Sequence, residues 1–117
     1  MILLVEDEVI TRYAFAQILR FNGYDVMEAA DGVEALKLLA GHHFDIMITD
    51  LVMPRLDGFA LVAETRLKWP DVSIVLMSGY VAEYAAPVLD GSTVFLSKPI
   101  DPTALLATVR RLLPASD

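Results

Sequence analysis

The stretch ILLVED at residues 2–7 places two adjacent carboxylates directly after four apolar residues. The pattern recurs further along the chain, where Asp50 follows the run IMIT at 46–49 and Lys98 follows the run VFLS at 94–97. Short apolar runs of this kind are typical of buried parallel strands, whose carboxyl ends open onto a common crevice. The three runs therefore predict that these charged groups converge on one small site.

The charged groups predicted to meet there are suited to phosphoryl chemistry. Glu6, Asp7 and Asp50 would repel one another unless a hard divalent cation lay between them, and Lys98 beside that cation suits an anion. A carboxylate that attacks phosphorus needs a cation to neutralise the incoming oxygens, and Asp50 is the candidate nucleophile. Simpler interpretations are a capping or loop role for Asp50, and a solvated strand end or a cap of the first helix for Glu6 and Asp7.

Ser78 and Lys98 each follow a predicted strand. The hydroxyl of Ser78 could hydrogen-bond a phosphoryl oxygen, with Gly79 allowing close approach of the backbone, although Ser-Gly is also ordinary turn chemistry. A lysine at the end of an apolar strand is costly to bury unpaired, so we expect an acidic or phosphoryl partner for Lys98. Pro99 predicts a fixed turn that aims this lysine, with a cis bond as one option.

Strands and helices alternate along the whole chain. Strands are predicted at about 2–5, 24–28, 44–49, 72–77 and 93–96, and helices at about 9–21, 31–41, 57–68, 81–89 and from 101 onward. This alternation predicts an α/β fold with a five-stranded parallel sheet covered by helices on both faces.

Helix boundaries carry recognisable signals. Gly23 supplies a left-handed stop for the first helix, and Asp31, Asp57 and Asp101 are candidate capping residues for the second, third and last helices. Pro87 falls inside the fourth predicted helix, so we expect that helix to be short, distorted or mobile. A helix that simply starts late or ends early is the plain alternative.

The bulk composition narrows the function classes. At 117 residues we expect a single domain over 1–117. The formal charge of −7, from 16 acidic and 9 basic residues, argues against nucleic-acid binding. No apolar run approaches the roughly 18 residues of a membrane span, and no basic segment marks a signal peptide. The absence of cysteine excludes disulfides and fits a cytoplasmic location.

Four segments together resemble the receiver domain of two-component response regulators, and the similarity covers essentially the whole chain. They are LVEDE at 4–8, TDLVMP at 49–54 with Asp57-Gly58, MSG at 77–79, and FLSKP at 95–99. The resemblance implies a flavodoxin-like three-layer sandwich with strand order 2-1-3-4-5.

The resemblance also implies roles at the site. Asp50 would accept a phosphoryl group from a histidine kinase or histidine phosphotransfer protein, in a Mg²⁺-dependent reaction. Asp7, Asp50 and the backbone carbonyl of Val52 would hold Mg²⁺, with Glu6 reaching it through water. Lys98 would contact the phosphoryl oxygens. The domain would assist its own phosphorylation and dephosphorylation, and its output would be a change of surface. The fourth predicted helix, the fifth strand and the last helix would form that output surface and a dimer contact, and an irregular fourth helix would make the output surface non-standard.

Four residues are implied to control switching and lifetime. Ser78 would swing inward to bond a phosphoryl oxygen, coupled to Phe95 at a position where the family often has tyrosine; a plain core role for Phe95 is the alternative. Val52 and Tyr80 would flank the path of an attacking water. Both are bulky and carry no charge to orient that water, so we expect a long-lived phosphoryl-aspartate.

Other classes of protein fit less well. Phosphohydrolases with an aspartate nucleophile resemble one another in having a second aspartate two residues after that nucleophile. In this chain the residue two positions after Asp50 is Val52. A flavodoxin-like nucleotide binder needs a glycine-rich loop after the first strand, where this chain has the acidic residues 6–8. A receiver that acts by protein contact without phosphorylation is the remaining alternative.

Overall fold

The computed structural model describes residues 1–53, 55–79 and 93–113. Its elements, in chain order, are β1 Ile2–Val5, α1 Val9–Phe21, β2 Val26–Ala29, α2 Gly32–Gly41, β3 Ile46–Asp50, α3 Gly58–Lys68, β4 Ser73–Ser78, β5 Thr93–Ser97 and α4 Pro102–Leu112. The strands pair in parallel in the order β2-β1-β3-β4-β5, which confirms the predicted α/β fold. The predicted helix at 81–89, with Pro87, lies outside the described residues.

Each face of the sheet carries its own apolar core, because successive strand residues point to opposite sides. The core beneath α2 and α3 includes Leu3, Met47, Leu76, Leu39 and Leu61. The core beneath α1 and α4 includes Ile2, Ile48, Met77, Leu19 and Leu105. Burial on both faces explains why the central strands read as continuous apolar runs.

The predicted helix signals are confirmed. Each capping carboxylate accepts a hydrogen bond from a backbone N–H in the first turn: Asp31 from Glu34, Asp57 from Ala60 and Asp101 from Thr103. Gly23 has φ +93°, the left-handed conformation that glycine adopts without steric cost. These local contacts fix where α2, α3 and α4 begin and where α1 ends.

Several strand boundaries differ from the predictions. β2 begins two residues later than predicted, because the N–H of Tyr24 donates to the carbonyl of Leu19 and belongs to the end of α1. β3 begins two residues later than predicted and β4 one residue later, and β2, β3, β4 and β5 each end one residue later. The later ends of β3, β4 and β5 follow from the ladders between these strands, which continue beyond the predicted ends. Asp50, Ser78 and Ser97 are therefore the last residues of their strands.

The outer edge of the sheet at β2 is bordered by α1. Arg20 Nη2 donates to the carbonyl oxygen of Val26 at 2.9 Å, and Arg20 Nη1 donates to Glu28 Oε2 at 3.0 Å. Arg12 Nε lies 3.4 Å from Glu28 Oε1. Two arginines of α1 thus reach over the last strand of the sheet.

Candidate functional site

The carboxyl ends of β1 and β3 bring three acidic side chains together. Glu6 and Asp7 follow β1, whose last residue, Val5, lies opposite Thr49 in β3, and Asp50 is the next residue of β3. One carboxylate oxygen of each acidic residue lies within 4.8 Å of the others. The structure thus gathers the three carboxylates that sequence analysis placed in one site.

The three carboxylates differ in burial. Glu6 is 1% exposed and Asp50 is 6% exposed, whereas Asp7 is open to solvent. Adjacent residues of a regular strand point to opposite faces. Because β1 ends at Val5, Glu6 and Asp7 lie beyond the strand and both reach the crevice. The site therefore has one wall inside the protein and one side accessible from outside.

Lys98 supplies the positive charge. Its Nζ donates to Asp50 Oδ2 at 2.7 Å and lies 3.6 Å from Glu6 Oε1. Burial alone would lower the pKa of Lys98, but the hydrogen bond to Asp50 and the charges of Asp50 and Glu6 outweigh it and raise that pKa above its ordinary value of 10.5. Lys98 is a cation at neutral pH. The Lys98–Pro99 bond is cis, the option that the sequence left open.

Glu6 lies in an electrostatically unfavourable environment. Burial raises the pKa of its carboxyl above the ordinary 4.5, the Glu8 N–H lowers it, the Asp50 charge adds to the rise and Lys98 opposes it. Glu6 Oε2 accepts from the Glu8 N–H at 3.1 Å. Glu6 Oε1 is buried and, among the described residues, receives no hydrogen bond. A buried carboxylate oxygen without a donor, beside two further carboxylates, fits a hard divalent cation such as Mg²⁺.

Ser78 and Phe95 lie on the two strands beyond β3. Ser78 is 1% exposed and pairs with Ser97 of β5, and the N–H of Lys98 donates to the carbonyl of Ser78 at 2.8 Å. Phe95 lies opposite Leu76 and packs against the core beneath α2 and α3. The ladder between β4 and β5 therefore connects Ser78, Lys98 and Phe95 directly.

The connection from β3 to α3 carries Val52, which is 56% exposed. The start of α3 lies against the backbone of this connection: a Cβ at Gly58 would lie 2.6 Å from the Asp50 carbonyl oxygen and from Leu51 Cα. The Gly58 N–H donates to the Leu51 carbonyl at 2.8 Å. Tyr80, the second residue with an expected effect on lifetime, lies outside the described residues.

Two contacts next to Glu6 and Asp7 were not predicted from the sequence. Glu8 caps α1 by accepting the Thr11 N–H at 2.8 Å, so the alternative that made Glu6 and its neighbour the helix cap is wrong. Glutamate is not among the residues preferred at this position, so there was no clear capping signal for α1 in the sequence. Arg12 Nη1 donates to the Glu6 carbonyl at 2.8 Å. That contact leaves no sequence signal, because its acceptor is a backbone atom.

A comparison with known protein families identifies the family to which the chain belongs. The family model described as the response regulator receiver domain matches residues 2–110. This match covers most of the chain. The parallel sheet and the acidic site at its carboxyl edge agree with it. The chain belongs to the response regulator receiver domain family.

Two curated relatives show the contexts in which such domains occur. The chain is 40% identical over 120 residues to the sensor kinase CckA of Brucella abortus (strain 2308), covering 99% of the chain and 13% of the kinase. It is 39% identical over 114 residues to the response regulator MprA of Mycobacterium sp. (strain KMS), covering 96% of the chain and 50% of the regulator. The chain therefore spans half or less of the length of these relatives.

Solved structures of receiver domains have the same fold. The crystal structure of the receiver domain from the hybrid histidine kinase CckA matches with a TM-score of 0.82 and 37% identity, covering 96% of this chain and 97% of that one. The receiver domain of NtrX from Brucella abortus matches with a TM-score of 0.89 and 31% identity, covering 99% of this chain and 100% of that one.

The family defines the general function. The chain is a phospho-accepting receiver domain of two-component signal transduction. Receiver domains interact with histidine kinases or phosphotransfer partners, bind Mg²⁺ in their acidic pocket, and are signalling domains rather than catalytic enzymes. Within the described residues, every helix is too short or too polar to cross a membrane.

Proposed function

We propose that Asp50 is the phosphoryl acceptor and that its donor is a phosphohistidine of a histidine kinase or histidine phosphotransfer protein. The observation that carries this proposal is the 2.7 Å hydrogen bond from Lys98 Nζ to Asp50 Oδ2, beside two further carboxylates. This contact places the positive charge of Lys98 where the oxygens of an incoming phosphoryl group would lie.

The transfer step follows from these positions. A carboxylate oxygen of Asp50 attacks the phosphorus while the P–N bond to the donor histidine breaks. The bonding electron pair returns to the imidazole, which takes up a proton, and an acyl phosphate remains on Asp50. Lys98 then contacts the phosphoryl oxygens, and the hydroxyl of Ser78 donates to one of them. With water as the attacking group, the same residues assist dephosphorylation.

The residues that would hold Mg²⁺ are Asp7, Asp50 and the backbone carbonyl of Val52, with Glu6 acting through a water molecule. An all-oxygen ligand set of this kind suits a hard cation. When bound, Mg²⁺ neutralises charge on the transferring phosphoryl group. The unsatisfied, buried Oε1 of Glu6 supports this assignment.

Ser78 and Phe95 would convert phosphorylation into a surface change. Movement of Ser78 toward the phosphoryl group alters the end of β4, which is hydrogen-bonded to the N–H of Lys98. Phe95 lies on the neighbouring strand and packs against the core beneath α2 and α3. The output surface would comprise the predicted fourth helix, β5 and α4, and it would also form a dimer.

The donor protein would dock beside Asp50 on exposed apolar side chains of α1 and of the loop from β3 to α3. Val9, Ile10 and Tyr13 on α1 and Val52 after β3 are all exposed. Exposed apolar side chains next to a reactive group are typical of a protein-binding surface. We place the chain in the cytoplasm as a single receiver domain over 1–117 that binds no nucleic acid.

Intact mass measured after incubation with acetyl phosphate tests the acceptor assignment. The parent and an Asp50→Asn variant are each treated with and without MgCl₂. A Mg²⁺-dependent phosphoryl adduct on the parent, missing from the variant, is the expected result. A folded parent that binds Mg²⁺ but is phosphorylated neither by acetyl phosphate nor by a phosphohistidine protein would instead indicate signalling by protein contact alone.

A further inference from the structure

The loop from β3 to α3 contains a residue in an uncommon backbone conformation. Arg55 has φ +71°, in the left-handed region that glycine or asparagine occupies far more readily than a long side chain. Among the described non-glycine residues, Arg55 alone has a positive φ. An arginine in this conformation carries a backbone cost, which contacts of its side chain must offset.

The side chain of Arg55 reaches a buried acid on another element. Arg55 Nη1 lies 2.9 Å from Oδ2 of Asp31, which is 7% exposed. The other oxygen of Asp31, Oδ1, accepts the Glu34 N–H at 2.8 Å and so caps α2. Asp31 therefore fixes the start of α2 with one oxygen and holds the loop with the other.

The same loop is in close contact with both flanking helices. A Cβ at Gly32, the first residue of α2, would lie 2.8 Å from Cβ and from the carbonyl oxygen of Leu56. Gly58, the first residue of α3, lies against Leu51 at the other end of the loop. Between these contacts lies Val52, whose exposed side chain offers little packing to hold its own backbone.

We propose that Arg55 is a positioning residue for the metal site. Its ion pair with Asp31 anchors the loop on α2 and so keeps the backbone carbonyl of Val52 where Mg²⁺ requires a ligand. The inference rests on the proposed function, in which that carbonyl is a Mg²⁺ ligand. It predicts that loss of the ion pair weakens Mg²⁺ binding while the folded domain keeps most of its stability, because the Arg55 side chain is 60% exposed and Asp31 retains its hydrogen bond from the Glu34 N–H.

Two substitutions remove the ion pair with little other damage. Arg55→Asn keeps a residue that tolerates the left-handed conformation but removes the charge. Asp31→Asn keeps a good helix cap and removes the partner charge. Arg55→Lys keeps a charge at the position. Lys68→Gln is the matched control, because it breaks an exposed ion pair of 2.8 Å with Glu64 on α3.

The Mg²⁺ affinity of each protein is measured by amide NMR during titration with MgCl₂, and thermal unfolding is followed in EDTA. We expect Arg55→Asn and Asp31→Asn each to weaken Mg²⁺ binding about tenfold, the low end of the effect typical of groups that orient metal ligands. The double variant should be no weaker than either single one, Arg55→Lys should recover part of the loss, and Lys68→Gln should bind as the parent does. The unfolding temperature of Arg55→Asn should stay close to that of the parent.

Several results would overturn the inference. Parental Mg²⁺ affinity in folded Arg55→Asn and Asp31→Asn would show that the ion pair does not act on the metal site, and would leave the phospho-acceptor proposal intact. Additive losses in the double variant would show that the two residues act separately. A parent that does not bind Mg²⁺ would overturn both the inference and the proposed metal site.

Discussion

Lys98 Nζ lies 2.7 Å from Asp50 Oδ2 and 3.6 Å from Glu6 Oε1. One cation therefore neutralises part of a cluster of three carboxylates, and the cluster retains an excess of negative charge. This balance suits a site that gains stability when a divalent cation enters. It also makes the contribution of each charged group measurable.

Replacing Lys98 should increase the excess negative charge of the cluster and so lower the stability of the domain. In metal-free buffer, Lys98→Gln should lower the free energy of unfolding by about 1–2 kcal/mol, because Asp50 stays buried without a charged partner. Urea unfolding in EDTA measures this loss. MgCl₂ should restore part of the stability, since the added cation takes over the neutralising role.

The double variant Asp50→Asn/Lys98→Gln is the control for that experiment. It removes both charges of the pair and should be more stable than Lys98→Gln alone. A Lys98→Gln variant as stable as the parent in EDTA would contradict the role assigned to this contact.

Stability should depend on pH through Glu6. Because burial raises the folded-state pKa of Glu6 above 4.5, the folded chain binds this proton more tightly than the unfolded chain does. Ionised Glu6 therefore costs stability above its folded pKa, and the cost disappears as the pH falls through that pKa toward 4.5. Glu6→Gln in EDTA should be more stable than the parent at neutral pH.

Urea unfolding of the parent and Glu6→Gln over a series of pH values checks the sign. The stability advantage of the variant should shrink as the pH is lowered toward 4.5. An advantage that grows on acidification would mean that the carboxyl of Glu6 is stabilised in its charged form, contrary to the effect of its burial.

Gly58 should tolerate no side chain. Gly58→Ala would place a Cβ 2.6 Å from backbone atoms of Asp50 and Leu51, which cannot move aside as a flexible side chain can. We expect a loss of about 1–3 kcal/mol in the free energy of unfolding, the usual cost of overpacking, and slower phosphorylation by acetyl phosphate. Urea unfolding and intact mass measure the two effects.

Gly41 provides the matched control for Gly58. It is the last residue of α2 and is exposed, and apart from its own helix and chain neighbours no atom lies within 4 Å of the position that a Cβ would occupy. Gly41→Ala should therefore leave stability unchanged or raise it by up to about 1 kcal/mol, as expected for alanine in a helix. Equal effects of the two substitutions would show that the close contact at Gly58 is relaxed in solution.

The phosphoryl lifetime should depend on Val52. Its exposed apolar side chain lies two residues after the acceptor and offers no group to orient water. Val52→Asn should shorten the lifetime of the phosphorylated domain by about tenfold, less than the roughly 10²-fold or greater effect of a well-placed general base. The decay of the adduct by intact mass, after removal of acetyl phosphate, gives the rate. A parental lifetime of seconds, unchanged when both Val52 and Tyr80 are made polar, would contradict the long-lived intermediate.

Local signals explain what the sequence predicted well. The bounds of β1 and α1 agree with the predictions because an apolar run and the Asn22-Gly23 stop act over a few residues. The acidic cluster was also predictable, because strand ends of a parallel sheet share one edge. The end of β3 was placed one residue early, because its pairing with β4 depends on a strand more than twenty residues away.

Long-range contacts explain what the sequence could not predict. Arg55 and Asp31 are 24 positions apart, and no periodicity links them. The need for glycine at Gly58 arises from the path of the backbone at Leu51, which becomes visible only in three dimensions. These contacts hold the loop beside the acceptor, so the missed features concern how accurately the site is built rather than where it lies.

The hydrogen bond from Arg20 to the carbonyl of Val26 has a consequence for self-association. β2 is an outer strand. The carbonyls of Ala29 and of Asp25, the residue before β2, point inward to β1, which leaves the Val26 carbonyl facing outward. A free outward carbonyl invites a strand of another molecule, but here Arg20 occupies it and also binds Glu28. The charged border therefore protects this side of the domain against aggregation through strand addition.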